Sequence, residues 1–186
     1  MTAPGDAPLA VLVGPPGAGK STIGRRLSRA LGVPLTDSDE LIEQREGRSC
    51  GDVFADFGEP RFRELEEEMV AGALTRPGIV SLGGGAVLSP ATRSLLARHI
   101  VVYLEIDAEE GVRRTAGEAT RPVLAADDPA AHYRALLDRR RPLYEEVATF
   151  RARSGGRTPQ QVVAEILGFL ESDEDEAAID SERNPS

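Results

Sequence analysis

Cysteine, histidine and lysine are nearly absent from this chain, and no apolar run in it approaches the length of a membrane span. The one cysteine, Cys50, cannot close an internal disulfide, and a single thiol does not make a metal site. A catalytic thiol would want a histidine partner, and the only histidines are His99 and His132. Cys50 precedes an apolar stretch and reads as a small packing residue. Residues Met1 to Pro8 hold neither a basic stretch nor an apolar core, so no secretion signal is expected and a cytoplasmic location follows. Neither a membrane nor a nucleic-acid partner is suggested.

The charge is short of positive groups, but unevenly so. The net charge is −9, and the segment Glu171–Ser186 alone contributes −6, from seven acids and one arginine. The acidic balance therefore describes the C-terminal tail more than any site. With few apolar residues, 171–186 is expected to be a disordered acidic tail, leaving 1–170 as a single domain. Of the 22 basic residues, 21 are arginine, and the one lysine is Lys20. A compact charge on a flexible stem is thus kept for one position.

That position lies in Gly14-Pro-Pro-Gly-Ala-Gly-Lys-Ser21, a full match to G-x-x-x-x-G-K-[ST]. The β-branched run Leu9–Val13 precedes it, and a helix ended by Gly32 follows, with Ile23, Leu27, Ala30 and Leu31 on one face. Strand, glycine loop and helix are the context the motif requires. Backbone N–H groups around Gly17, Ala18, Gly19, Ser21 and Thr22 would cradle phosphates at a helix N-terminus, Lys20 would reach the outer phosphates, and Ser21 would ligate Mg²⁺. A nucleoside triphosphate is the expected ligand.

Further strands are expected at 34–36, 78–82, 100–106 and 149–152, and helices at 40–46, 49–57, 59–74, from 89, 107–115, from 129, and from 158. Strands alternating with helices imply an α/β fold, a five-stranded parallel sheet flanked by helices. The first three strands deliver the P-loop, Asp37-Ser-Asp39 and Gly83-Gly-Gly85 to one carboxyl edge, where such sheets bind ligands.

Each of the later signals has a plain alternative. Asp37-Ser-Asp39 reads as a helix cap or as two carboxylates on one face, one for metal water and one for a substrate hydroxyl. Arg63 and Glu66 share a helix face, as a solvated salt bridge or as part of a site. The triple glycine is a flexible turn or a place of close backbone approach. Arg140 falls on the apolar stripe of Tyr133, Leu136 and Tyr144, where a guanidinium either snorkels or needs an acidic partner or ligand. Pro142 is expected to kink that helix and blur its register.

Taken together, GPPGAGKST, DSD, FRELE, LGGGA, the RPVL loop and RRRPLYEEVA, in this order, resemble the shikimate kinase family over about Leu9 to Leu170. The resemblance implies a P-loop kinase with substrate-binding helices at about 39–74 and a mobile lid at about 115–128. It implies transfer of the ATP γ-phosphate to the 3-hydroxyl of shikimate, with Mg²⁺, by a monomer. On this resemblance Asp39 binds the substrate hydroxyls and acts as base, and Asp37 sits near the magnesium water shell. Arg63 and Arg140 hold the carboxylate, Glu66 positions Arg63, and Gly83, Gly84 and Gly85 line the acceptor site. Arg121 reaches the phosphates from the lid, and Arg114 and Arg157 stand near the adenine.

Overall fold

The computed structural model describes residues 7–116 and 128–183, with side chains described as far as Asp173. Five strands, β1 (Pro8–Val13), β2 (Leu35–Asp37), β3 (Gly78–Ser81), β4 (Val101–Glu105) and β5 (Phe150–Arg153), form one wholly parallel sheet in the order β2-β3-β1-β4-β5. The central strands are buried on both faces, as their continuous Val, Ile and Leu runs require.

The helices are α1 (Lys20–Leu31), α2 (Ser38–Glu46), α3 (Cys50–Ala73), α4 (Pro90–Leu96), α5 (Ala108–Thr115), α6 (Pro129–Val147) and α7 (Pro159–Arg183). A short 3₁₀ turn at Ala86–Leu88, not expected from the sequence, precedes α4. On one sheet face Leu12, Ile79 and Leu104 pack with Ile23 and Leu27 of α1 and Val162 and Ile166 of α7. On the other, Val11, Val80 and Tyr103 meet Val70, Leu96 and Tyr144. A third cluster, Ile42, Val53, Phe62 and Leu65, joins α2 to α3.

Helix ends follow the local chemistry. Ser49, Ser89, Asp107 and Asp128 each accept a backbone N–H at the first turn of their helices. Gly58 breaks the path of α3 with φ 75° and ψ 166°, at the boundary expected between two helices. Pro142 does not end α6, which continues to Val147. Pro142 and Asp138, whose carbonyl it leaves without an intrahelical donor, both face solvent.

Helix α7 continues through the acidic segment from Glu171 as far as Arg183. A helix already nucleated against the sheet propagates at little cost, and Ala and Glu are good helix formers.

The sheet order puts the reversal of winding beside β1, where β3 lies on one side and β4 on the other. Three loops therefore emerge together at the carboxyl edge, after β1, β2 and β3. At the opposite end Gly78 opens β3 with φ +95°, and a Cβ there would collide with the Pro34 carbonyl oxygen, which accepts the Ile79 N–H at 2.9 Å. Gly78→Ala is expected to destabilise the fold by roughly 2 kcal/mol. Urea unfolding measures this, and a loss near zero would show that the β2–β3 entry relaxes freely.

Candidate active site

The loop after β1 is shaped by glycines that no other residue replaces cheaply. Gly17 and Gly19 have φ of 79° and 92°, and a Cβ on Gly17 would press on Thr115 Cγ2 at 3.1 Å. Gly19 caps α1 without a side chain, which leaves the first N–H groups of that helix directed into the loop. Lys20 Nζ donates to the Gly14 carbonyl at 2.7 Å and the Pro15 carbonyl at 3.1 Å, which holds the ammonium over the loop. Arg114 braces the same loop from α5, donating to the carbonyls of Gly17 (3.3 Å) and Ser154 (3.0 Å) while paired to Glu110 at 2.7 Å. A cavity of about 310 Å³ opens here, lined by Gly17, Lys20, Ser21, Asp37, Asp39 and Arg114 among others.

A second cavity of about 300 Å³ adjoins it between α2, α3 and the loop after β3. Asp37 caps α2 by accepting the Asp39 N–H at 2.9 Å, as the capping reading expects, and both carboxylates line the two cavities. The buried Ser38 hydroxyl accepts the Gly83 N–H at 2.9 Å and ties the two loops to each other. The glycine triplet is a floor on which side chains rest. A Cβ at Gly83 would strike Asp39 Oδ1 and crowd Glu66 Oε1, and one at Gly85 would strike the Arg63 guanidinium. Cys50, Phe54 and Phe62 supply the apolar wall, with the two rings edge-to-face at 5.3 Å.

Among the described residues two arginines face this cavity, one paired to carboxylates and one not; Arg63 Nη2 meets Glu59 at 3.5 Å. Arg63 Nη1 donates to Glu66 Oε2 at 2.6 Å, but its Nε is buried without a hydrogen-bond partner. Arg140 is only 8% exposed, and Nη1 donates to the Gly84 carbonyl at 3.0 Å. Among the described residues no carboxylate lies within ion-pair distance of it. A buried guanidinium with no carboxylate partner among the described residues carries a desolvation cost of several kcal/mol that an anionic ligand would offset. Burial pushes the Glu66 carboxyl above its ordinary range, with Arg63 and Arg140 opposing, and pushes the Cys50 thiol up, which disfavours its thiolate.

Most of the expected residues meet here. Ser21, Asp37, Asp39 and Gly84 line both cavities, and Arg63, Glu66, Gly83, Gly85 and Arg140 line the second. Within the run 139–141 Arg140 is the buried member, Arg139 being exposed and Arg141 half-buried. Arg157 stands apart from these cavities. Its guanidinium pairs with Glu165 and donates to the carbonyls of Arg153 and Gln161 at 3.3 and 3.2 Å. Arg121 and most of the segment 115–128 lie outside the described residues. Ser38, Tyr133 and Tyr144 were not anticipated as site residues. Ser38 was legible only as the middle of the DSD triplet, and the tyrosines only as part of an apolar stripe.

Comparison with known proteins agrees with this geometry. The family model for shikimate kinase matches residues 16–171. The shikimate kinase of Corynebacterium efficiens is 67% identical over 166 residues, which cover 89% of this chain and 98% of the relative. The structure of shikimate kinase from Acinetobacter baumannii in complex with shikimate superposes with a TM-score of 0.85 at 34% identity, covering 90% of this chain and 94% of that one. A gluconokinase from Sinorhizobium meliloti, covering 97% of this chain and 99% of its own, has a TM-score of 0.63 at 19% identity, a likeness of fold alone.

The raised Glu66 pKa has a consequence for stability. The folded state holds this proton above the ordinary carboxyl value of 4.5, so the favourable contribution is present at low pH and is lost as pH rises from there toward the raised value. Glu66→Gln is expected to flatten that part of the stability profile, measured by denaturant unfolding at a series of pH values. An unchanged slope would mean that Arg63 and Arg140 outweigh burial.

Proposed function

The chain belongs to the shikimate kinase family, and from that premise we propose how its own residues carry the reaction. The activity is ATP-dependent transfer of the γ-phosphate to the 3-hydroxyl of shikimate. The observation that carries the reading of the site is the shared border of the two cavities, formed by Ser21, Asp37, Asp39 and Gly84. ATP phosphates in the P-loop cavity and a small acceptor in the other would meet across that border and nowhere else.

Phosphoryl transfer is mainly positioning and charge stabilisation. Arg63 and Arg140 would hold the shikimate carboxylate, because two guanidinium forks suit a planar carboxylate, Arg63 Nε is buried without a hydrogen-bond partner and Arg140 has no carboxylate partner among the described residues. Phe54 and Phe62 would cover the apolar side of the ring. Asp39, resting on Gly83, would accept the proton of the 3-hydroxyl as its oxygen bonds to the γ-phosphorus. The bond from that phosphorus to the β–γ bridging oxygen breaks, and ADP leaves. Lys20 would take up the charge on the outer phosphate oxygens, and Arg114 would stand at the nucleotide side of the loop. Arg121 is proposed as a further cation toward the phosphates, and Arg157 as an adenine-side residue.

The donor set also fits Mg²⁺. The Ser21 hydroxyl and the Asp37 carboxylate line the same cavity as Lys20, and hard oxygens few in number suit an ion that keeps waters and phosphate oxygens as its other ligands. When bound, the ion would screen the repulsion between the phosphates and the incoming hydroxyl.

The purified protein is expected to form ADP from Mg-ATP only when shikimate is present. Equal turnover with gluconate or a nucleoside monophosphate would sink the assignment. Asp39→Asn is expected to abolish turnover while ATP still binds, and near-normal activity would remove Asp39 as the base. Arg140→Ala should raise the KM for shikimate by about a hundredfold or more and that for ATP little. The same result from Arg141→Ala instead would place the wrong arginine in the site.

A further inference from the structure

The chain holds three tyrosines, Tyr103, Tyr133 and Tyr144, and all three are buried behind the two ligand loops. Tyr133 and Tyr144 stand on one buried face of α6, separated by about three helical turns, or roughly 16 Å along the axis. Neither spends its hydroxyl on its own helix. Tyr133 Oη donates to the Pro16 carbonyl at 2.7 Å, in the middle of the P-loop. Tyr144 Oη donates to the Gly84 carbonyl at 2.6 Å, in the acceptor loop, and shares that oxygen with Arg140 Nη1.

The surroundings hold each ring in place. Tyr103, from β4, stacks on Tyr144 with centroids 5.1 Å apart. Gly111 of α5 lies so close to the Tyr133 phenol that any Cβ there would collide with it. Phenylalanine would meet every packing demand at both positions. What it lacks is the donor, and burial keeps both phenols above their ordinary pKa range, so each remains an O–H donor throughout the working range of pH. The two loops also touch one another, since a Cβ on Gly84 would lie 3.2 Å from Pro16 Cδ.

We propose that Tyr133 and Tyr144 are positioning residues, each tying one ligand loop to α6: Tyr133 sets the P-loop and Tyr144 sets the acceptor loop together with Arg140. The proposal rests on the site reading above. It makes α6 the common support of donor and acceptor, with specificity for each substrate separable at the level of one hydroxyl.

The test is steady-state kinetics of the full-length Tyr133→Phe and Tyr144→Phe variants, with thermal unfolding of each. Tyr144→Phe is expected to raise the KM for shikimate about fivefold and leave that for ATP within about twofold. Tyr133→Phe should do the reverse, each change being that of one lost hydrogen bond. General loosening of the core would move both constants together in both variants, and that result overturns the proposal. A variant whose own constant stays within about twofold overturns the assignment of that tyrosine. Wild-type turnover and the Arg140→Ala response are measured in the same assay. A failure of the site reading therefore shows there, independently of the tyrosine variants.

Discussion

The contact between Pro16 and Gly84 is the constraint on which the rest of the site depends. Two loops from neighbouring parallel strands approach closely, and a Cβ on Gly84 would lie 3.2 Å from Pro16 Cδ, tighter than an ordinary contact. The order β2-β3-β1-β4-β5 makes this approach unavoidable, because β1 and β3 are hydrogen-bonded neighbours running the same way. Their carboxyl ends must release their loops side by side. The chemistry needs a phosphate donor and a hydroxyl acceptor in line and in contact, and the sheet supplies that adjacency before any side chain is placed. Ser38 then fixes the third loop to Gly83, so that Asp37 and Asp39 arrive at the same border.

The charged groups follow from that geometry at some cost in stability. Glu66 is buried beneath the glycine floor, and burial works against its ionised form more than the nearby arginines favour it. Arg140 is buried against a carbonyl. Neither arrangement is what a fold optimised for stability would choose, since apolar replacements of buried ions are often neutral or stabilising. Both make sense if the cavity is built around an anion that is absent from the unliganded chain. The cost is set against binding, and the glycine triplet is what allows the charges to crowd so closely.

Much of this was legible in the sequence because it is local. The P-loop is one contiguous motif whose glycines, lysine and serine need only the strand and helix beside them. Caps at Ser89 and Asp107 are equally short-range. Arg140 was legible because helical register separates it from Arg139 and Arg141. The hydroxyls of Tyr133 and Tyr144 were not, because periodicity reports that a side chain is inward and is silent on which carbonyl, 117 or 60 residues away, it meets.

The near-exclusion of lysine also acquires a physical sense. Several arginines here serve two kinds of partner with one head group. Arg93 meets Glu146 and the Val87 carbonyl, Arg114 meets Glu110 and two carbonyls, and Arg157 meets Glu165 and two carbonyls. A planar fork with five donors can bridge a carboxylate and the backbone at once and so lock loops to helices, which a single ammonium does less well. Such a fork would be poorly suited to the P-loop, where a charge must sit on a flexible stem among closely spaced phosphate oxygens. Lys20 donates to the loop carbonyls of Gly14 and Pro15, contacts of a kind that phosphate oxygens can replace. Arginine fixes the frame and lysine is kept for the one position that must change partners.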